Sequence, residues 1–83
     1  MAFYVYIIQS EGDESYYIGS TQNVAERLQR HNQGRSLYTK AKRPWKLVYQ
    51  EQHRDRSAAL RRENRLKRQK SKEAIESLIR TSR

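Results

Sequence analysis

Apolar and polar positions along the chain fall into three strand-like and three helical blocks. Phe3-Tyr4-Val5-Tyr6-Ile7-Ile8-Gln9 is dense in β-branched and aromatic residues, the composition that favours a strand. Alternation sends Phe3, Val5 and Ile7 to one face and Tyr4, Tyr6 and Ile8 to the other. A strand that is apolar on both faces is predicted to be central and covered by helix. The polar run from Ser10 to Ser15 predicts a turn, and Tyr16-Tyr17-Ile18-Gly19 the second strand of a hairpin. Asn23 with Glu26 three residues later fits a capping box. Val24, Leu28 and His31 then recur at helical spacing until Asn32-Gln33-Gly34 ends the run. Residues 34 to 44 read as a loop in which the only proline, Pro44, restricts Arg43 to an extended conformation. Trp45-Lys46-Leu47-Val48-Tyr49-Gln50-Glu51 predicts a third strand with Trp45, Leu47 and Tyr49 on one side. From Asp55 the pattern turns helical through Ala59, Leu60, Glu63, Leu66 and Lys67 toward Gln69. A short last helix begins at Ser71, with Ile75, Leu78 and Ile79 as its buried stripe and a frayed tail from Arg80 to Arg83. The predicted order is ββαβαα: an α+β fold with a small three-stranded mixed β-sheet flanked by helices, with no internal repeat or linker.

Length and composition narrow the partners. Eighty-three residues allow one domain, spanning 1–83, because a second core would have too little to bury. No apolar stretch approaches the roughly 18 residues of a membrane span, and the N-terminus shows no basic leader, so a cytoplasmic protein is expected. The absence of cysteine excludes disulfides, thiol catalysis and cysteine-ligated zinc. Eighteen Lys and Arg against nine Asp and Glu leave a net charge of +9, which points to a polyanion held by salt-sensitive, sequence-blind attraction. An anionic membrane is disfavoured, since no long amphipathic helix with a large apolar face is apparent. Arg35, Lys40, Lys42 and Arg43 in the loop are candidate phosphate contacts. Residues 54 to 72 add nine basic side chains against Asp55 and Glu63. Such density repels itself unless an anion is bound, and Arg62, Lys67 and Lys70 are taken from it as further contacts.

Five polar residues occupy places where packing alone would favour others. Tyr6 and Tyr17 lie on consecutive strands, Arg27 and His31 share a helical face one turn apart, and Glu63 sits in the middle of a basic helix. Each has an ordinary reading by itself. A sheet tyrosine is usually core, Arg27 can pair with Glu26, a lone histidine is usually structural, and Glu63 has Lys67 at the i,i+4 spacing.

Taken in order, the residues resemble the GIY-YIG nuclease superfamily, and more closely its small single-domain YhbQ-like or UPF0213-like members. Val5-Tyr6-Ile7 matches the first motif with Val for the usual Gly, and Tyr17-Ile18-Gly19 reproduces the second. Arg27 matches the helix arginine, His31 the position four residues on, and Glu63 the metal-binding glutamate, with basic Lys67 four later. Lys42 to Tyr49 resembles the segment leading into the third strand of the small members. Ser20 stands where UvrC-type relatives carry a lysine.

The resemblance implies a metal-dependent endonuclease that hydrolyses DNA phosphodiester bonds, structure-selective and of little sequence specificity. It implies a single Mg²⁺ or Mn²⁺ held by Glu63 and waters, which suits hard ions, and Arg27 as a bidentate clamp on the scissile phosphate. Tyr6 is expected to be the general base, its phenolate favoured by Arg27, the ion and the basic surroundings. Tyr17 would hydrogen-bond the phosphate or the attacking water, the alternative being that the two tyrosines exchange these roles, and His31 would relay the proton or orient Tyr6. The expected partner is DNA, branched or single-stranded, with RNA as an alternative; a protein partner or homodimer would supply targeting. The competing reading is a non-catalytic basic nucleic-acid-binding module.

Overall fold

The strand that is apolar on both faces, β1 (Phe3–Ser10), lies in the middle of the sheet, between β2 (Tyr16–Thr21) and β3 (Trp45–His53), in the order β2-β1-β3. This computed structural model describes residues 2–69 and 71–81. Three helices complete it: α1 (Val24–Asn32), α2 (Arg56–Gln69) and α3 (Lys72–Thr81), with a 3-10 turn over Lys40–Lys42. The order ββαβαα is the one predicted. The mixed sheet is corrected: both pairings are antiparallel. β2 and β3 therefore run parallel to each other, joined through α1, but β1 lies between them and takes the hydrogen bonds of both.

The two faces of β1 carry separate cores. Val5 and Ile7 pack with Ile18, Ala59 and Leu66 beneath α2, joined by Phe3, Val48, Tyr49, Ile75 and Leu78. Tyr6 and Ile8 pack with Val24 and Trp45 beneath α1, joined by Tyr4, Tyr17 and Leu28. Val5, which replaces the glycine of the first motif, is thus a core side chain on the face opposite Tyr6. The expected common face for Trp45, Leu47 and Tyr49 is also corrected. A bulge between Ile7 and Ile8 pairs Tyr49 with Ile7 but Leu47 with Ile8. The extra residue moves Tyr49 to the α2 face and leaves Trp45 on the α1 face.

Caps fix where the helices start. Asn23 accepts the Glu26 backbone N–H at 3.0 Å, which is one half of the predicted capping box. The other half is replaced, the Asn23 N–H donating to Thr21 Oγ1 at 3.1 Å, and Asp55 accepts the Ala58 N–H at 2.8 Å. α1 ends in a Schellman turn. Gly34 stands at φ 77°, its N–H donates to His31 and the Arg35 N–H reaches back to Arg30, a conformation that glycine adopts without penalty. Ser71 caps α3 through the Ala74 N–H. Ile75, Leu78 and Ile79 are half-buried rather than fully covered, and the helix runs on through Arg80 to Thr81. The rest of the expected frayed tail lies outside the described residues. No described helix is long and apolar enough to cross a membrane.

Candidate active site

Register places the two motif tyrosines together. Tyr6 pairs with Gly19 and Ile8 with Tyr17, so Tyr6 and Tyr17 project from the α1 face as diagonal neighbours, ring centroids 6.5 Å apart. Gly19 makes the arrangement possible. A Cβ there would stand 2.6 Å from the Tyr6 hydroxyl oxygen, so only glycine lets the ring lie across β2. Tyr6 is 1% exposed. Its hydroxyl is hydrogen-bonded to His31 Nε2 at 3.1 Å, and His31 Nδ1 to the Thr39 hydroxyl at 2.7 Å. Thr39 is fully buried, and its carbonyl accepts the Trp45 indole N–H at 2.9 Å.

Burial sets the protonation states in this pair. Loss of solvent, reinforced by the neighbouring Tyr17, pushes Tyr6 up to about 12 even though the Arg27 cation pulls the other way. Arg27 alone therefore does not produce the expected phenolate: desolvation outweighs it, and in the protein without an ion Tyr6 rests as a phenol. Burial and, secondarily, the charge of Arg27 lower His31 below its ordinary value, so its imidazole is neutral near pH 7. One ring nitrogen then donates and the other accepts.

Glu63 reaches the same region from the opposite layer. It lies on the α2 stripe of Ala59 and Leu66, four residues from one and three from the other, so the helix aims its carboxylate at the sheet. Ser20 donates to its Oε1 at 2.7 Å and Lys67 to its Oε2 at 2.7 Å. Ser20 thus positions the acid. Arg27 completes the set: its Nε is buried and has no hydrogen-bond partner among the described residues. A buried guanidinium N–H without an acceptor is costly unless an anion arrives.

A groove of about 580 Å³ is lined by Tyr6, Tyr17, Ser20, Arg27 and Glu63 together with Arg56. His31 lies behind Tyr6 and borders an adjoining depression of about 340 Å³ with Tyr17, Arg27, Arg30 and Arg35. Five predicted site residues therefore converge. Thr39, Arg56 and Arg30 were missed; Thr39 carries no sequence signal, being a small polar residue in a polar loop.

The predicted phosphate contacts divide. Arg35 borders the depression, Lys67 touches Glu63, and Lys40 is exposed in the loop. Lys42 pairs with Asp13 at 3.5 Å, and Arg43 Nε donates to the Lys40 carbonyl at 3.0 Å. Arg62 is corrected: its guanidinium is held by Glu51 at 3.0 Å, beside Tyr49 and His53, which bond the same carboxylate. Burial works against the Glu51 charge, but the hydrogen bonds from Tyr49, His53 and Arg62 hold its carboxyl below the usual range. Arg62 thus ties α2 to β3. Lys70 lies outside the described residues.

A divalent ion fits Glu63, though with little other protein help. Among the described residues no group of three or more His, Cys, Asp or Glu gathers for a metal. Each Glu63 oxygen keeps a lone pair beyond its bond to Ser20 or Lys67. That suits a hard ion that takes one carboxylate and keeps its waters.

A small sheet that sets two tyrosines, a helix arginine and a glutamate around one groove defines a class. The family model described as the GIY-YIG catalytic domain matches residues 2–76, and the chain belongs to that family. Within it, the chain is 48% identical over 65 residues to a UPF0213 protein of Staphylococcus haemolyticus, covering 77% of this chain and 78% of that one. It is 44% identical over 68 residues to a UPF0213 protein of Desulfotalea psychrophila, covering 80% of this chain and 61% of that one. The solution NMR structure of a UPF0213 protein from Bacillus halodurans superposes with a TM-score of 0.61 at 32% identity, over 98% of this chain and 85% of the other. These similarities place it with the small UPF0213 members.

Proposed function

We propose that this protein is a metal-dependent endonuclease that hydrolyses DNA phosphodiester bonds with little sequence specificity, at branched or single-stranded sites. The observation that carries the proposal is the convergence of Tyr6, Tyr17, Arg27 and Glu63 on one groove. Family membership supports nuclease chemistry on nucleic acid in general; the metal, the base and the substrate preference are this proposal's own.

Arg27 binds the scissile phosphate. Its unpartnered Nε and planar fork suit two phosphate oxygens, and its charge meets the negative charge that grows there in the transition state. Tyr6 accepts the proton of the attacking water. As a buried phenol it cannot do so by being ionised beforehand, so its own proton passes to His31 Nε2 as it takes one from water. In that tautomer Nδ1–H donates to Thr39, which fixes the ring. Tyr17 hydrogen-bonds the phosphate or the attacking water, and Ser20 and Lys67 hold Glu63. Glu63 would hold an Mg²⁺ or Mn²⁺, which when bound would supply Lewis-acid stabilisation of developing negative charge.

The second reading, a basic module that binds nucleic acid without cutting, is favoured by one observation: Lys67 already neutralises Glu63 at 2.7 Å. The test incubates the protein with supercoiled plasmid, single-stranded DNA and flapped duplexes, with Mg²⁺ or Mn²⁺ and with chelator. Ion-dependent cutting, fastest on single-stranded or branched DNA, is expected. Salt-sensitive binding with no cutting of any substrate would replace the enzyme by the binding module.

A further inference from the structure

Among the described residues the order β2-β1-β3 leaves β2 at an unpaired edge of the sheet, and a cavity distinct from the groove opens beside it. Its volume is about 620 Å³; Tyr16, Tyr17 and Tyr38 line it from the strand and loop, Leu66, Lys67 and Ile75 from the helices. Tyr38 is 82% exposed, and its ring lies 6.0 Å from that of Tyr17 at a 49° tilt. Tyr38 thus adds little burial to the fold while holding its ring beside that of Tyr17 at the cavity mouth. Nor is Tyr38 at a loose tip. Its neighbour Thr39 is fully buried and tied by its side chain to His31 and by its carbonyl to Trp45. The ring is displayed outward from a fixed backbone.

We propose that this cavity is a stacking subsite for one unpaired nucleobase of the DNA strand whose phosphate lies on Arg27. The inference rests on the reading of the groove as a phosphodiester site. Three features support it. Tyr17 lines both cavities, so a strand anchored on Arg27 passes directly from one to the other. Lys67 stands at their junction, 2.7 Å from Glu63 and 6.0 Å from the Tyr17 centroid, and its remaining ammonium hydrogens can take the adjoining phosphate. The lining is aromatic and cationic, the combination that binds single strands without regard to sequence. Two rings sandwich a base at about 7 Å, twice the roughly 3.4 Å rise per base. The exposed Tyr38 side chain can supply the difference by rotating. A paired base has both faces covered within its stack and cannot enter, so the subsite selects unpaired nucleotides.

The test is made in chelator, without cleavage. Binding of a short single-stranded DNA carrying one 2-aminopurine is followed by anisotropy and by fluorescence quenching, beside the same strand with an abasic site at that position. Removing the base is expected to weaken binding by wild type about tenfold, within the range for one stacked base, and 2-aminopurine is expected to be quenched on binding. Tyr38→Ala should abolish both effects, and Tyr38→Phe should keep them. Equal affinity for base-bearing and abasic strands, or discrimination that survives in Tyr38→Ala, overturns the subsite. So does a Tyr38-dependent dimer by sedimentation, which would show a second copy on the β2 edge. Plasmid cutting in Mg²⁺ separates the two proposals: cutting without base discrimination leaves the enzyme and removes the subsite, and discrimination without cutting does the reverse.

Discussion

At the scale of single residues, what organises the site is less the reactivity of each group than its confinement. Tyr6 has a hydroxyl that burial keeps protonated up to about pH 12, and it is useful only because His31 stands within hydrogen-bond reach. The pH dependence follows. His31 titrates below its ordinary value and must be neutral to accept a proton, so cleavage should be flat near neutrality and fall as pH drops through that lowered value. His31→Ala should cut slowly and lose this acid limb, and an unchanged limb in that variant would assign it elsewhere. Stability has the same sign. Below the ordinary histidine value the unfolded chain binds the proton that the folded one refuses, so stability falls with decreasing pH. At the alkaline end, Tyr6 holds its proton above the unfolded value, so its contribution is intact below about pH 10 and lost as pH rises through about 12. Gly19 offers a purely steric test. In Gly19→Ala the new methyl meets the Tyr6 hydroxyl at 2.6 Å, and the overpacking should cost about 1–3 kcal/mol in denaturant melts while displacing Tyr6. Native stability in that variant would mean the contact is not tight.

At the scale of elements, sequence and structure agree where the signal is local and part where it depends on pairing. The central position of β1 was legible because Phe3 to Ile8 are apolar on both faces. The cap at Asn23 was legible because capping is a three-residue affair. The bulge was not, since nothing within β3 says which of its residues will be left without a partner, and it turned Tyr49 to the face opposite Trp45. The converging side chains were legible through motif spacing, but Thr39, which fixes His31, was not, because its role exists only once the loop has folded back. The basic residues of α2 show the same limit. Arg62 and Lys67 look alike in the sequence, yet five residues turn a helix by about 140° beyond a full revolution, so one meets Glu51 and the other Glu63. Two variants should therefore separate. Arg62→Ala should cost about 1–3 kcal/mol of stability by leaving Glu51 short of a partner and change DNA affinity little. Lys67→Ala should weaken binding and lower its salt dependence by about one ion. Equal effects on DNA binding would restore Arg62 to the phosphate track.

At the scale of the molecule, a net charge of +9 on 83 residues is divided among jobs. Part stabilises the fold, as in Arg62 with Glu51 and Lys42 with Asp13. Part surrounds the groove, as in Arg27 and Arg56, or its adjoining depression, as in Arg35. The sheet is the frame on which this division rests, with a core beneath α2 that delivers Glu63 and another beneath α1 that delivers Arg27 and His31. The central claim is that residues from both layers make one cutting site. Its most direct test is single-turnover cleavage of single-stranded DNA in Mg²⁺ by wild type, Tyr6→Phe and Glu63→Ala, with each variant first shown to fold and to bind DNA. Cutting by wild type and its loss by at least about a hundredfold in both variants, with binding retained, is the predicted result. Undiminished cutting by either variant would contradict the site.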